Sequence, residues 1–165
     1  MDIKDIVKKF EINGEPMKIE PYGNGHINTT FLIECDNNGM ICRYILQKIN
    51  TTVFTNVEGL MSNILGVTSF LKERIIANGG NPDIETLNLV LTNDGKSYFE
   101  CKDGAYRIYK FIENTVALQI AEDKEVFEGA GYAFGNFVKM LNDYDASGLF
   151  EVIQNFHNTQ SRFQK

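Results

Sequence analysis

The sequence predicts an α+β fold, because alternating apolar stretches, a long run at helical spacing and glycine- or asparagine-bearing turns fall in separate blocks. Three strands come first, at 17–22, 30–35 and 42–49, each alternating along its length. Asp36-Asn37-Asn38-Gly39 joins the last two as a hairpin, since Asn-Gly tolerates the positive φ of a tight turn. A helix is expected at 57–76, with Val57, Leu60, Met61, Ile64, Leu65, Thr68, Leu71 and Ile75 at helical spacing and Asn56 as its N-cap. The breaker cluster Asn78-Gly79-Gly80-Asn81-Pro82 ends it. Short strands follow at 87–91, 97–100 and 105–111, turned at Asp94-Gly95 and Asp103-Gly104. Beyond Glu113 the spacing of Val126, Ala130, Ala133, Phe134, Phe137, Val138 and Leu141 is helical throughout. The reading therefore divides the chain into a sheet-and-helix unit at 1–113 and a helical unit at 114–165.

Composition narrows the possible partners. A hydrophobic fraction of 43%, with 12 Phe and 7 Tyr in 165 residues, is enough to build a core. The net charge of −6 and the lack of any basic run longer than Lys8-Lys9 argue against a nucleic-acid surface. Residues 1–10 are amphipathic and lack the apolar stretch of a signal peptide, and no apolar run reaches membrane-spanning length, so a cytoplasmic protein with no membrane partner is expected. Cys35, Cys42 and Cys101 are odd in number and lack zinc-site spacing, which reads as reduced thiols and no metal site. Two Asn-x-Thr sequons, at Asn28 and Asn50, read as chance matches in such a protein.

The stretch Tyr22-Gly23-Asn24-Gly25-His26-Ile27-Asn28-Thr29-Thr30 carries the clearest chemical signal. Gly23 and Gly25 lack a Cβ, so the turn can take positive φ and bring backbone N–H groups against an anion. An ordinary Asn-Gly hairpin is the structural alternative.

Several strings occur in a fixed order: Gly23-Asn24-Gly25-His26-Ile27-Asn28, Tyr44-Ile45-Leu46-Gln47-Lys48-Ile49-Asn50, Tyr109-Lys110-Phe111-Ile112-Glu113, Phe134-Gly135-Asn136-Phe137 and Phe156-His157-Asn158-Thr159. With the order of elements they resemble the amino-terminal half of N-acetylhexosamine 1-kinase-like enzymes, in the aminoglycoside-phosphotransferase-like family of protein-kinase-like folds. The resemblance spans nearly the whole chain. It implies a kinase-like small lobe followed by the first helices of a helical lobe, and ATP-dependent phosphoryl transfer to an amino sugar.

On that resemblance Gly23, Asn24, Gly25, His26 and Asn28 cover the nucleotide's phosphates, with Asn28 or Thr29 adding a side-chain hydrogen bond. His26 stands against a phosphate or the sugar, or in a solvated loop. Kinases place a basic residue on the third strand, where this chain has Gln47 followed by Lys48. Strand alternation lets only one of the two face the cleft. Gln47 is favoured, with Ile45 and Ile49 beside it and Tyr44, Leu46 and Lys48 on the opposite face. Glu58 is the candidate helix partner, or serves only the helix dipole. Tyr109, Phe111 and Ile112 belong to the connector that would meet adenine. Tyr132, Phe134 and Phe137 read as helix packing, and His157 as a weak acceptor-side candidate.

The catalytic pattern H-x-D-x-x-x-x-N occurs nowhere in the 165 residues, and Asp143 and Asp145 read as solvated surface. By resemblance the catalytic and Mg²⁺-binding residues would follow Lys165, so the chain is expected to bind ATP and not to turn it over alone. The alternatives are a stand-alone nucleotide- or sugar-binding regulator, or a non-functional remnant; under all three readings Phe134, Phe137 or Leu141 is expected to be partly bare, so that the chain self-associates through an uncovered helix face.

Overall fold

The computed structural model describes residues 1–164 apart from 24, 117, 119 and 122. The chain enters through a short helix, α1 (Ile3–Val7), whose Asp2 side chain caps it. It then forms a meander of β1 (Glu15–Pro21), β2 (Thr29–Asn37) and β3 (Met40–Ile49). The β2–β3 turn closes through left-handed Asn38 and Gly39, at φ 54° and 86°, with the Gly39 N–H donating to the Asp36 carboxylate at 2.7 Å. The long helix α2 (Val57–Ala77) starts where the Asn56 side chain accepts the Gly59 N–H at 2.8 Å. β4 (Leu89–Val90), β5 (Phe99–Cys101) and β6 (Gly104–Lys110) complete an antiparallel sheet of order β1-β2-β3-β6-β4, with β5 on β6.

Two expectations shift locally. The breaker cluster ends α2, but Pro82 at the first helical position begins a further turn, α3 (Pro82–Glu85), capped by Asn81. The Asn88 side chain then donates to the carbonyls of Pro82 and Thr86 at 2.8 and 3.0 Å, holding a bend where a five-residue strand was expected.

The register fixes two unlike faces. On one, Ile33, Cys35, Tyr44, Leu46, Val90, Tyr106 and Ile108 pack against Ile6, Val7 and Phe10 from the amino terminus. On the other, Ile49 and Ala105 meet Leu60 and Met61 of α2. Full burial of an aliphatic side chain is worth roughly 1.5–3 kcal/mol. The first cluster has ten buried members against four, so the α1 face carries more of the stability. The α2 face is left able to hold polar groups.

α4 (Lys124–Met140) is capped by Asp123 but buries none of its residues. Tyr132 and Phe134 are 78% and 74% exposed, so within this chain the stripe is not packed; Phe134 lies bare, in line with the expected uncovered helix face. Phe137 lines an apolar cavity of about 490 Å³ with Ile64, Leu71, Leu87 and Ile112, and Asn136, Val138, Lys139 and Met140 line a groove with Arg74 and Asn78. The following segment returns along α2. Asp143 is exposed, as expected, yet pairs with Arg74, and Tyr144 meets Phe70 edge to face at 5.2 Å. Asp145 caps the 3₁₀ turn Ala146–Gly148, and Asn63 exchanges hydrogen bonds with the Phe150 backbone at 2.8 and 2.9 Å. A last short helix, α5 (Thr159–Phe163), follows. Among the described residues no helix is long and apolar enough to cross a membrane, and all three cysteines are free thiols.

Burial, helped by the neighbouring Cys42, pushes the Cys35 thiol up to about 11 from its ordinary 9.0. The native state therefore holds a proton that the unfolded chain releases. The associated stabilisation is complete below pH 9.0 and is lost as the pH rises toward about 11. Urea midpoints measured across that window should fall for the wild type, and the slope should be shallower in Cys35→Ala; equal slopes would disprove the assignment.

Candidate nucleotide-binding face

The segment between β1 and β2 leaves the sheet at Tyr22, whose N–H donates to the Thr30 carbonyl at 2.9 Å. Gly23 takes φ 75°, which a residue with a Cβ rarely adopts. Neither Gly23 nor Gly25 has an atom within 4 Å of where a Cβ would stand, so the turn is open on that side. Asn24 lies outside the described residues. His26 and Ile27 are exposed at the loop tip.

Asn28 does a different job from the one expected. Its side-chain oxygen accepts the Asn50 N–H at 3.0 Å, tying the end of the loop to the end of β3. Thr29 pairs with Lys48 in the ladder and shares its face, away from Gln47. Thr30, which the sequence reading left out of the site, is the residue on the α2 face.

Side chains directly opposite in an antiparallel ladder share a face. Thr30 is opposite Gln47, and Gln47 opposite Arg107, so the three form one row across β2, β3 and β6. The Gln47 amide donates to the Thr30 hydroxyl at 3.2 Å. Its carbonyl accepts from Arg107 Nε and Nη2 at 3.1 and 2.9 Å. The neighbouring row is apolar, with Leu32 opposite Ile45, and Tyr109 opposite both Ile45 and Leu89. Gln47 thus shares its face with Ile45 and Ile49, as favoured from alternation. Lys48 lies on the other face, its ammonium 5.9 Å from the Tyr106 ring centroid.

The helix residue that reaches this row is Met61, whose sulfur receives Arg107 Nη1 at 3.8 Å. Glu58 is exposed and lines a separate groove with Thr55, Tyr98 and Glu100, so it does not partner Gln47. Arg107 was missed in the sequence because it interrupts a run read only as an alternating strand; its charge among Ala105, Tyr106, Ile108 and Tyr109 was the available signal. Burial lowers the Arg107 pKa from its ordinary value. Tyr109 is pushed up to about 12, again by burial, with the nearby guanidinium opposing the shift.

At the far end of this face the connector leaves β6. The Phe111 N–H donates to the Arg43 carbonyl at 3.0 Å, and the Arg43 guanidinium sits 4.8 Å from the Phe111 ring centroid while pairing with Glu113. The Tyr22 ring meets Phe111 edge to face at 5.9 Å. The loop entrance and the connector are therefore in contact. Ile112 is half-buried, and its carbonyl accepts the Thr115 hydroxyl at 2.9 Å.

His157 stands apart from this face, stacked edge to face on Phe156 at 4.8 Å near the carboxyl end. Among the described residues no group of three His, Cys, Asp or Glu is placed to hold a metal ion. No protein-family model matches the chain.

Removing the Asn28 oxygen leaves the Asn50 N–H without its loop partner. Asn28→Ala should cost about 1 kcal/mol and speed amide exchange at Asn50, with core amides such as Ile33 and Leu46 slowed or sped only by the global change. Unaltered exchange at Asn50 would show that Asn28 does not anchor the loop.

Proposed function

We propose that this chain is the nucleotide-binding part of an ATP-dependent small-molecule kinase of the N-acetylhexosamine 1-kinase-like kind, within the aminoglycoside-phosphotransferase-like family. The observation that carries the reading is the grouping on one sheet face of a glycine turn, a polar row, an apolar row and a half-buried connector. The architecture supports it further, because a three-strand meander, a long helix and returning strands are what the resemblance implies for a kinase-like small lobe.

ATP would find a chemically graded surface. Leu32, Ile45 and Tyr109 would lie under the adenine ring as an apolar row, with Leu32 and Tyr109 buried and Ile45 half-buried. The connector offers hydrogen-bonding edges: the Phe111 N–H and Ile112 carbonyl are engaged, whereas the Phe111 carbonyl and the Ile112 N–H have no backbone partner among the described residues. Gly23 and its neighbours would bring backbone N–H groups over the phosphates. Tyr22 resting on Phe111 would have to move as the nucleotide enters.

Among the described residues no group of three His, Cys, Asp or Glu is placed to hold a metal ion, and no transfer step is assigned to them. The chain also lacks the H-x-D-x-x-x-x-N pattern. The proposal is therefore nucleotide binding without turnover by this chain; amino-sugar phosphorylation is the activity of the complete enzyme to which it would belong.

Isothermal titration of ATP and of adenosine into the 165-residue protein tests the reading. We expect saturable binding of both, with a Kd for ATP of ~10 µM to ~1 mM, equivalent to about 4–7 kcal/mol, and no phosphorylated N-acetylhexosamine in a coupled assay. Absence of binding by either nucleoside up to ~5 mM, about 3 kcal/mol, would overturn it. Turnover by the chain alone would overturn its assignment as a binding part.

A further inference from the structure

Arg107 is 8% exposed, and none of the ion pairs among the described residues includes it. A guanidinium carries five N–H donors and no acceptor. Here three of them reach an acceptor: two converge on the single carbonyl oxygen of Gln47, and one meets the Met61 thioether, a weak acceptor at 3.8 Å. The Tyr109 ring, 5.1 Å from the guanidinium carbon, supplies the remaining favourable contact. A buried cation without a counter-charge is costly, and an apolar side chain of similar volume would fill the same space more cheaply. In a chain of net charge −6, none of the described carboxylates pairs with this cation.

The hydrogen-bond directions along the row say what kind of ligand fits. Arg107 must face the Gln47 oxygen, because a guanidinium cannot donate to an amide nitrogen, and this orients the Gln47 amide toward Thr30. The Gln47 oxygen already accepts two hydrogen bonds, and the Thr30 hydroxyl oxygen accepts one and keeps one lone pair. Against that single acceptor the row offers as donors the second Gln47 amide hydrogen, the Thr30 hydroxyl hydrogen and the spare guanidinium hydrogens. A donor-rich row over a buried positive charge favours an anion and disfavours a cation.

We propose that Arg107, with Gln47 and Thr30, is an anion subsite that takes the phosphates of a nucleoside di- or triphosphate, the cation coming from β6 because β3 presents Gln47. The phosphate assignment rests on the nucleotide reading above. It follows from position: the donor row begins at Thr30, immediately after the glycine turn, and lies two residues, roughly 7 Å, from the apolar row of Leu32, Ile45 and Tyr109. Base and phosphate would occupy adjacent rows of one sheet. In this low-dielectric setting the attraction to phosphate exceeds what an exposed lysine provides.

The test uses three probes on the intact chain: ATP, adenosine and inorganic tripolyphosphate. The wild type should bind ATP at least ~10-fold more tightly than adenosine, a difference of about 1.4 kcal/mol. Arg107→Met should abolish that preference by weakening ATP far more than adenosine, and keep or raise the urea midpoint. In the wild type, tripolyphosphate should shift the Arg107 Nε–H resonance, a readout that stands even where the variant does not fold. Equal affinity for ATP and adenosine in the wild type, or an unmoved Arg107 resonance, would overturn the subsite and leave the nucleotide reading intact. Failure of adenosine and ATP to bind, with tripolyphosphate still shifting Arg107, would sink the nucleotide reading and retain the anion subsite.

Discussion

The ladder register across β2, β3 and β6 is the constraint on which the rest depends. A pleated strand sends alternate side chains to opposite faces, so a slip of one residue in β3 would exchange Gln47 with Lys48 and Leu46 with Ile45. The slip is blocked from the side away from the candidate site. Tyr44 and Leu46 are fully enclosed with Ile33, Cys35 and Ile108 under α1, and exchanging them for Arg43, Ile45 or Gln47 would bury polar groups and expose apolar ones. The Tyr44 hydroxyl adds a directional check by accepting the Asn13 N–H at 2.9 Å.

That division gives the two faces different tasks. The α1 face holds the larger apolar cluster, while the α2 face keeps a polar row that a fully apolar core would not contain. Gln47 is central to it, because its two-ended amide satisfies a hydroxyl on one side and a guanidinium on the other. A lysine in its place would offer donors only and would repel Arg107. The departure from a basic third strand and the buried arginine on β6 thus form one arrangement: the neutral residue on β3 is what allows the cation on β6.

The carboxyl-terminal third is joined to the sheet unit through α2. Arg74 with Asp143, Phe70 with Tyr144, and Asn63 with Phe150 lie along this one helix, which also places Met61 over Arg107. α2 therefore carries contacts from both parts of the chain. α4 buries none of its residues; it meets the rest of the chain through Phe137 at the apolar cavity and through Asn136 and Met140 in a groove with Arg74, while Phe127, Tyr132, Phe134 and Val138 stay exposed.

Most of the element order was legible in the sequence. Strand alternation, the Asn56 cap and the Asn-Gly turn are local signals, readable without neighbours, and they located the meander and α2 to within a few residues. The face of Gln47 was readable for the same reason, since period two fixes it once the apolar positions are known. The fate of Asn28, the separation of Glu58 from Gln47, and the pairing of Arg107 with Gln47 were decided by the tertiary structure. Each depends on which residue stands opposite on a strand or helix distant in sequence, 60 residues away for Arg107 and Gln47, and no local period encodes that distance.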